Sequence, residues 1–359
     1  MEIYLIILFT TLLSMLFLRG KYRKRMGILL LMVMMCICGL RGYDVGTDTH
    51  NYWDGYTYIN DRVRIEPLFS FYEAFFQLCG FDAHVFLFGI AALSYIPLML
   101  LLKRVSKDML FSVFIYQSFS VLFFHQTFNA VRQCVAVAFM LWAAYSLFHN
   151  KNWKLFLLYS IIGFLFHYSS LAIFLIIVIV RFIGTFNPIW VYVSMVASVV
   201  FGYVFTAGFS DVALTLSYYL QDITSESVEH YSDYLSELDN SELNIFGMTV
   251  VMLPFSIFAI LLYDKKNGQS PYYKLFYIGC FLQNVFLSVQ YVYRITMYLT
   301  IIITFLLPVT YVRMNQNRKY LVALMSFALV LFYIFSCYTG TEQQRTLAGS
   351  VPYYMFFEK

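Results

Sequence analysis

The chain has 359 residues, of which 61% are hydrophobic, 20% aromatic and 12% charged, with a formal net charge of +4. Soluble domains carry about 25% charged residues, so an ordinary globular enzyme is excluded. So is a soluble domain on one anchor, because no long polar stretch is left over. No basic, aromatic-interleaved patch is present, which argues against a nucleic-acid partner.

Apolar runs fall at 2–18, 26–40, 82–102, 109–124, 129–148, 154–167, 169–183, 188–208, 244–263, 275–292, 295–312 and 320–338. A membrane span needs about 20 apolar residues, so these runs predict an all-α polytopic membrane protein with about 12 transmembrane helices. One integral domain is expected over residues 1–359, with outer loops at 41–81 and 209–243. Glu2–Leu18 lacks a basic leader and a small-residue cleavage site, and its basic cluster comes after it, which marks a retained first span. The stretch 154–183 reads as two spans meeting at His167 or as one long bent helix.

Charge orients the map. With the N-terminus outside, the cytoplasmic loops collect 17 of the 24 basic residues, in groups such as Arg19–Arg25, Lys103–Lys107 and Arg313–Lys319. Of the 20 acidic residues only two, Asp108 and Asp264, fall there. Positive-inside sorting of this strength supports an even span count and both termini outside. It also favours splitting 154–183 in two. The six cysteines form no C-x-x-C pair, and five lie inside apolar runs. They read as buried thiols, so no metal or disulfide site is expected.

Two outer loops stand out. The first opens Arg41-Gly-Tyr-Asp44-Val-Gly-Thr-Asp48 and continues through Tyr52 to Glu66-Pro67. Carboxylates beside aromatic rings suit a sugar site, although interfacial aromatics are common at membrane edges. Residues 67–79 are too short to span and suit an interfacial or re-entrant helix. The second loop is strongly acidic, and Val228, Tyr231, Tyr234, Leu235 and Leu238 have the spacing of an amphipathic surface helix.

Ionisable residues within apolar runs are the sharpest signal, because an arginine at a span centre costs roughly 2.5–3.5 kcal/mol on insertion scales. On a helix, Asn129, Arg132, Gln133 and Ala136 share a face. The planar fork of Arg132 suits a phosphate. The alternative is an arginine paired with a carboxylate from another helix. Phe166-His167-Tyr168-Ser169-Ser170 offers a base, or else a satisfied helix-end histidine. Gln290, Arg294 and Tyr298 also stack on one face, with snorkelling of Arg294 as the alternative. There is no P-loop, H-E-x-x-H, G-x-S-x-G or dinucleotide fingerprint.

Taken in order, these segments resemble the EpsG family of bacterial exopolysaccharide polymerases, relatives of the Wzy-type O-antigen polymerases. The resemblance rests on Arg41 to Asp48 with Tyr52, Glu66-Pro67, Asn129 to Gln133, Phe166 to Ser170, and Tyr293-Arg294 with Tyr298. It implies a GT-C-like glycosyltransferase fold and a site on the outer face of the bacterial cytoplasmic membrane. It further implies transfer of a growing glycan from undecaprenyl diphosphate to a hydroxyl of the next lipid-linked repeat unit, without a cofactor. Membrane lipid and a chain-length regulator are the implied partners.

In that chemistry the hard step is departure of the lipid diphosphate, which cationic donors would ease. Arg132 and Arg294 are the first candidates, with Arg41 third. His167 and Asp48 lead Asp44 and Glu66 as candidate bases. Tyr52, Asn129, Gln133, Gln290 and Tyr298 are candidate substrate contacts. A lipid-linked oligosaccharide flippase is the main non-enzyme alternative. An O-antigen ligase shares the donor chemistry, and a membrane O-acyltransferase leaves both arginines without a role.

Overall fold

The computed structural model describes residues 1–58, 66–119, 122–221, 245–286, 292–339 and 349–358, with side chains left aside at 205–221, 245–251 and 292–293. Fifteen α-helices are described: α1 Glu2–Phe17, α2 Lys21–Gly39, α3 Thr49–Thr57, α4 Pro67–Leu78, α5 Ala83–Val105, α6 Met109–Ser118, α7 Val131–Phe148, α8 Trp153–Phe166, α9 Ser170–Val180, α10 Pro188–Gln221, α11 Ile245–Leu261, α12 Pro271–Val285, α13 Val292–Thr300, α14 Ile303–Tyr311 and α15 Gln316–Tyr338. Asp82, Asp108, Asn152 and Asn315 cap α5, α6, α8 and α15 by accepting a backbone N–H of the first turn.

The protein is an all-helical membrane protein. Among the described residues, four segments are long and apolar enough to cross a bilayer by length and composition: Ala83–Val105, Val131–Phe148, Arg294–Tyr311 and Gln316–Tyr338. Shorter apolar helices of 10–17 residues accompany them, including α1, α6, α8 and α9. Several apolar runs of the sequence are therefore interrupted. The run 109–124 stops as a helix at Ser118 and is followed by a 3-10 turn at His125–Phe128. The run 295–312 is divided between α13 and α14. Between α8 and α9 the chain breaks at His167, whose backbone is extended (φ −161°, ψ 118°). Past 208, α10 continues to Gln221, while the surface helix expected around Val228–Leu238 lies outside the described residues.

Helix α7 is the hub. It packs on α5, α8, α9 and α13, and 78% of its length is buried, against 33% for α15 at the periphery. The polar connections sort to two ends of the bundle. At one end Arg23 pairs with Asp108 (2.6 Å) and Arg313 with Asp264 (3.3 Å). There, too, Lys274 donates to the Ile183 carbonyl and Arg318 to that of Tyr263. These loops are the ones that the charge pattern places together. The opposite end gathers residues 40–58, Glu66, the 125–132 segment, the His167 turn and the tail 349–358.

The tail is pinned to the first outer loop along the chain. Gly46 N–H donates to Gly349 O (2.8 Å), Gly42 N–H to Tyr354 O (2.9 Å) and Phe356 N–H to Leu40 O (3.2 Å). The Tyr354 hydroxyl donates to Asp44 Oδ2 (2.8 Å) and accepts from the Asp44 N–H (3.1 Å). Ser350 reaches inward, where its carbonyl accepts from Tyr4 and its hydroxyl meets His125. Glycine is required at 42 because a Cβ there would stand 2.1 Å from the Tyr354 ring.

Gly42→Ala should therefore lower thermal stability in detergent by about 1–3 kcal/mol. Tyr354→Ala in the same background should recover part of the loss. An unchanged melting midpoint for Gly42→Ala would refute this account of the docked tail.

Candidate functional site

Glu66 begins the site because of the residue after it. A proline disfavours the helical region for its predecessor, and Pro67 occupies the first turn of α4. Glu66 is accordingly extended (φ −97°, ψ 115°). Its side chain is 7% exposed and faces two partners from other elements. One is the Arg132 guanidinium, whose Nη1 donates to Oε2. The other is His167, whose Nδ1 lies 2.9 Å from Oε1. Burial by itself would raise the Glu66 carboxyl, but the hydrogen bonds and positive charge of His167 and Arg132 outweigh it and hold the group below the usual carboxylate range.

An ionised carboxylate only accepts hydrogen bonds. The nitrogen of His167 that faces Glu66, Nδ1, therefore carries a proton, so that Nε2 holds the lone pair whenever the ring is uncharged. His167 is 28% exposed and Arg132 34%, so both present a surface beyond Glu66. Arg132 also lies over the rings of Tyr52 (5.8 Å) and Phe69 (5.5 Å). Its Nε has no hydrogen-bond partner among the described residues.

Tyr52 sits where the remaining charges converge. Its phenol lies within hydrogen-bonding reach of Arg132 and feels Asp48 and Arg294 as well. Burial and then Asp48 raise it, against the pull of the two arginines, and the net shift is upward, so Tyr52 stays a neutral phenol. Arg132, Glu66, His167 and Tyr52 thus form one cluster at this end of the bundle, with Asp48 and Arg294 close enough for their charges to act on Tyr52. No group of three or more His, Cys, Asp or Glu side chains among the described residues converges as a metal site would.

The amides and Tyr298 act within the protein. Asn129 Oδ1 accepts from the Asp48 N–H (3.2 Å), which anchors the start of α3. Gln133 Nε2 donates to the Arg294 carbonyl and ties α13 to α7. The Tyr298 hydroxyl is bonded to Ser169 Oγ (3.2 Å), two residues after His167. The sequence pattern gave Ser169 no role beyond its place in Phe166-His167-Tyr168-Ser169-Ser170.

Two candidates stand apart. Arg41 is fully buried. It donates to Thr49 Oγ1 (2.8 Å), Cys38 O (2.6 Å) and Phe128 O (3.1 Å). Its fork joins α2, the outer loop and the 3-10 turn, which leaves it in the framework. Asp44 is exposed and held by Tyr354, away from Glu66. Gln290 lies outside the described residues.

Comparison with known proteins places the site in context. A family model described as EpsG family matches residues 24–355, nearly the whole chain. No curated protein and no solved structure matches.

The charge pair has a defined pH signature. Because the folded Glu66 carboxyl is held low, its stabilisation is complete above the unfolded value of about 4.3. It disappears as pH falls through the lower folded value. The difference in thermal midpoint between wild type and Glu66→Gln should shrink as pH falls below about pH 4.3. A difference unchanged down to about pH 3 would assign the effect to another group.

Proposed function

Because the chain belongs to the EpsG family, we propose that it is a membrane glycosyltransferase of the polysaccharide-polymerase type. The donor is a growing glycan on undecaprenyl diphosphate, and the acceptor is a hydroxyl of the next lipid-linked repeat unit. The observation that carries this reading is Glu66 bridged between Arg132 and His167. It puts a fixed cation and an oriented imidazole side by side.

The step balances as follows. The acceptor hydroxyl loses its proton to His167 Nε2 while its oxygen bonds to the anomeric carbon. The bond from that carbon to the diphosphate oxygen breaks, and the electron pair leaves with the lipid diphosphate. Arg132 and Arg294 stabilise the charge that develops there. Glu66 holds the imidazole tautomer and orientation, and so becomes a positioning group. Asp48, near Tyr52, lies on the side suited to sugar hydroxyls.

The membrane arrangement belongs to the same proposal. About twelve crossings, a GT-C-like bundle and outward-facing termini would put this cluster at the outer face of the bacterial cytoplasmic membrane. In support, the end bearing Arg23, Lys274, Arg313 and Arg318 is opposite to the one bearing the site. A chain-length regulator is the proposed protein partner.

Purified protein given the host's lipid-linked repeat unit, without ATP or nucleotide sugar, should make a ladder spaced by one repeat. Arg132→Ala and Arg294→Ala should abolish it, and His167→Ala should slow it by about 10²–10⁴-fold, the usual worth of a general base. Movement of the unit across liposomes without a ladder would instead identify a flippase.

A further inference from the structure

Four side-chain links close a ring around the site. Arg132 on α7 holds Glu66, and Glu66 holds His167. Two residues on, Ser169 holds Tyr298 of α13 (3.2 Å). One turn earlier on α13, the Arg294 carbonyl accepts from Gln133, beside Arg132 on α7. The path runs from α7 through the His167 turn and α13 and back to α7.

The turn between α8 and α9 is short. It comprises His167, Tyr168 and Ser169, with His167 extended and Ser169 helical at the N-cap of α9. A three-residue turn with both ends in helices has few ways to move its first side chain without moving its last. Glu66 fixes the first by the imidazole, and Tyr298 fixes the last by its hydroxyl. Tyr298 is 2% exposed, so its hydroxyl has no easy recourse to solvent if Ser169 is lost. The same tyrosine sits four residues after Arg294 on one helix face. Whatever fixes Tyr298 therefore also steadies the helical turn from which Arg294 projects.

We infer that Ser169, through Tyr298, is a positioning residue that couples the placement of the His167 base to that of the Arg294 guanidinium. The inference rests on the proposed glycosyl transfer for its kinetic consequence, but not for its structural one. Gln133 completes the ring at the other end of the same helix segment. Neither Ser169 nor Tyr298 is required to touch substrate.

The test uses full-length protein in detergent and compares wild type with Ser169→Ala, Tyr298→Phe, their double variant and Ser169→Thr, which keeps the hydroxyl. In the reconstituted polymerisation assay, Ser169→Ala and Tyr298→Phe should each lower kcat about tenfold, one link's worth of alignment, with KM for the lipid-linked unit within about twofold. The double variant should be no worse than either single variant, and Ser169→Thr should restore most of the rate. Independently of activity, labelling of His167 by diethyl pyrocarbonate, followed by mass spectrometry, should be at least about threefold faster in Ser169→Ala and Tyr298→Phe, because the turn is released. Wild-type labelling rates in both variants would overturn the inference, as would additive losses or a Ser169→Thr as slow as the alanine variant. If wild-type protein makes no polymer but the labelling rates shift as described, the proposed reaction fails while the coupling stands.

Discussion

A carboxylate removed from water needs hydrogen-bond donors, and the Glu66 carboxylate has two, drawn from elements far apart in sequence. Removing one member of a buried ion pair typically costs about 3–5 kcal/mol, because the other charge is stranded. The contact therefore binds the start of α4, the hub helix α7 and the turn after α8 into one unit. It also decides chemistry. With both carboxylate oxygens engaged, Glu66 has little freedom to act as a base, and in the proposed reaction that role falls to His167 Nε2. Pro67 is the local cause, since it turns Glu66 out of the helix that it would otherwise begin.

Arg41 and Arg132 show how backbone geometry assigns different work to the same side chain. Arg41 follows the end of α2, where helix carbonyls lack intrahelical partners. It fills that need at Cys38 and reaches the irregular 3-10 turn at Phe128. Arg132 lies on a regular helix whose carbonyls are already bonded, so its fork must look outward to Glu66, Tyr52 and the open side of the site.

The two ends of the bundle follow different rules. At the basic end, ion pairs such as Arg23–Asp108 join loops that the charge pattern already grouped. At the site end, closure depends on the tail, which lies against residues 40–46 and sends Ser350 to Tyr4 and His125. The outer loop carrying Asp48 and Tyr52 is thus backed by residues some 300 positions later in the chain, as the 310-residue separation of Asp44 and Tyr354 shows. Gly349 matters because a Cβ there would stand 2.9 Å from the Thr47 backbone nitrogen, so its absence lets the two backbones approach.

The sequence by itself determined the solvent and the helical class, since a chain with 12% charged residues can bury its backbone polar groups in lipid only as helices or closed barrels. It also exposed His167 and the two arginines, because a charge within an apolar run is costly enough to be conspicuous. The break at His167 followed from charge phase. What it left open is how these groups pair. Arg132 was readable first as a phosphate ligand and next as a partner for a distant carboxylate, and Asn129, Gln133 and Tyr298 as substrate contacts. Only the tertiary structure decided that Glu66 joins Arg132 to His167, that the amides tie helices and loops together, and that Arg41 belongs to the framework. The reason is physical. Transfer energies and periodicity are properties of a segment and its solvent, while a hydrogen-bond partner is a property of two segments brought together.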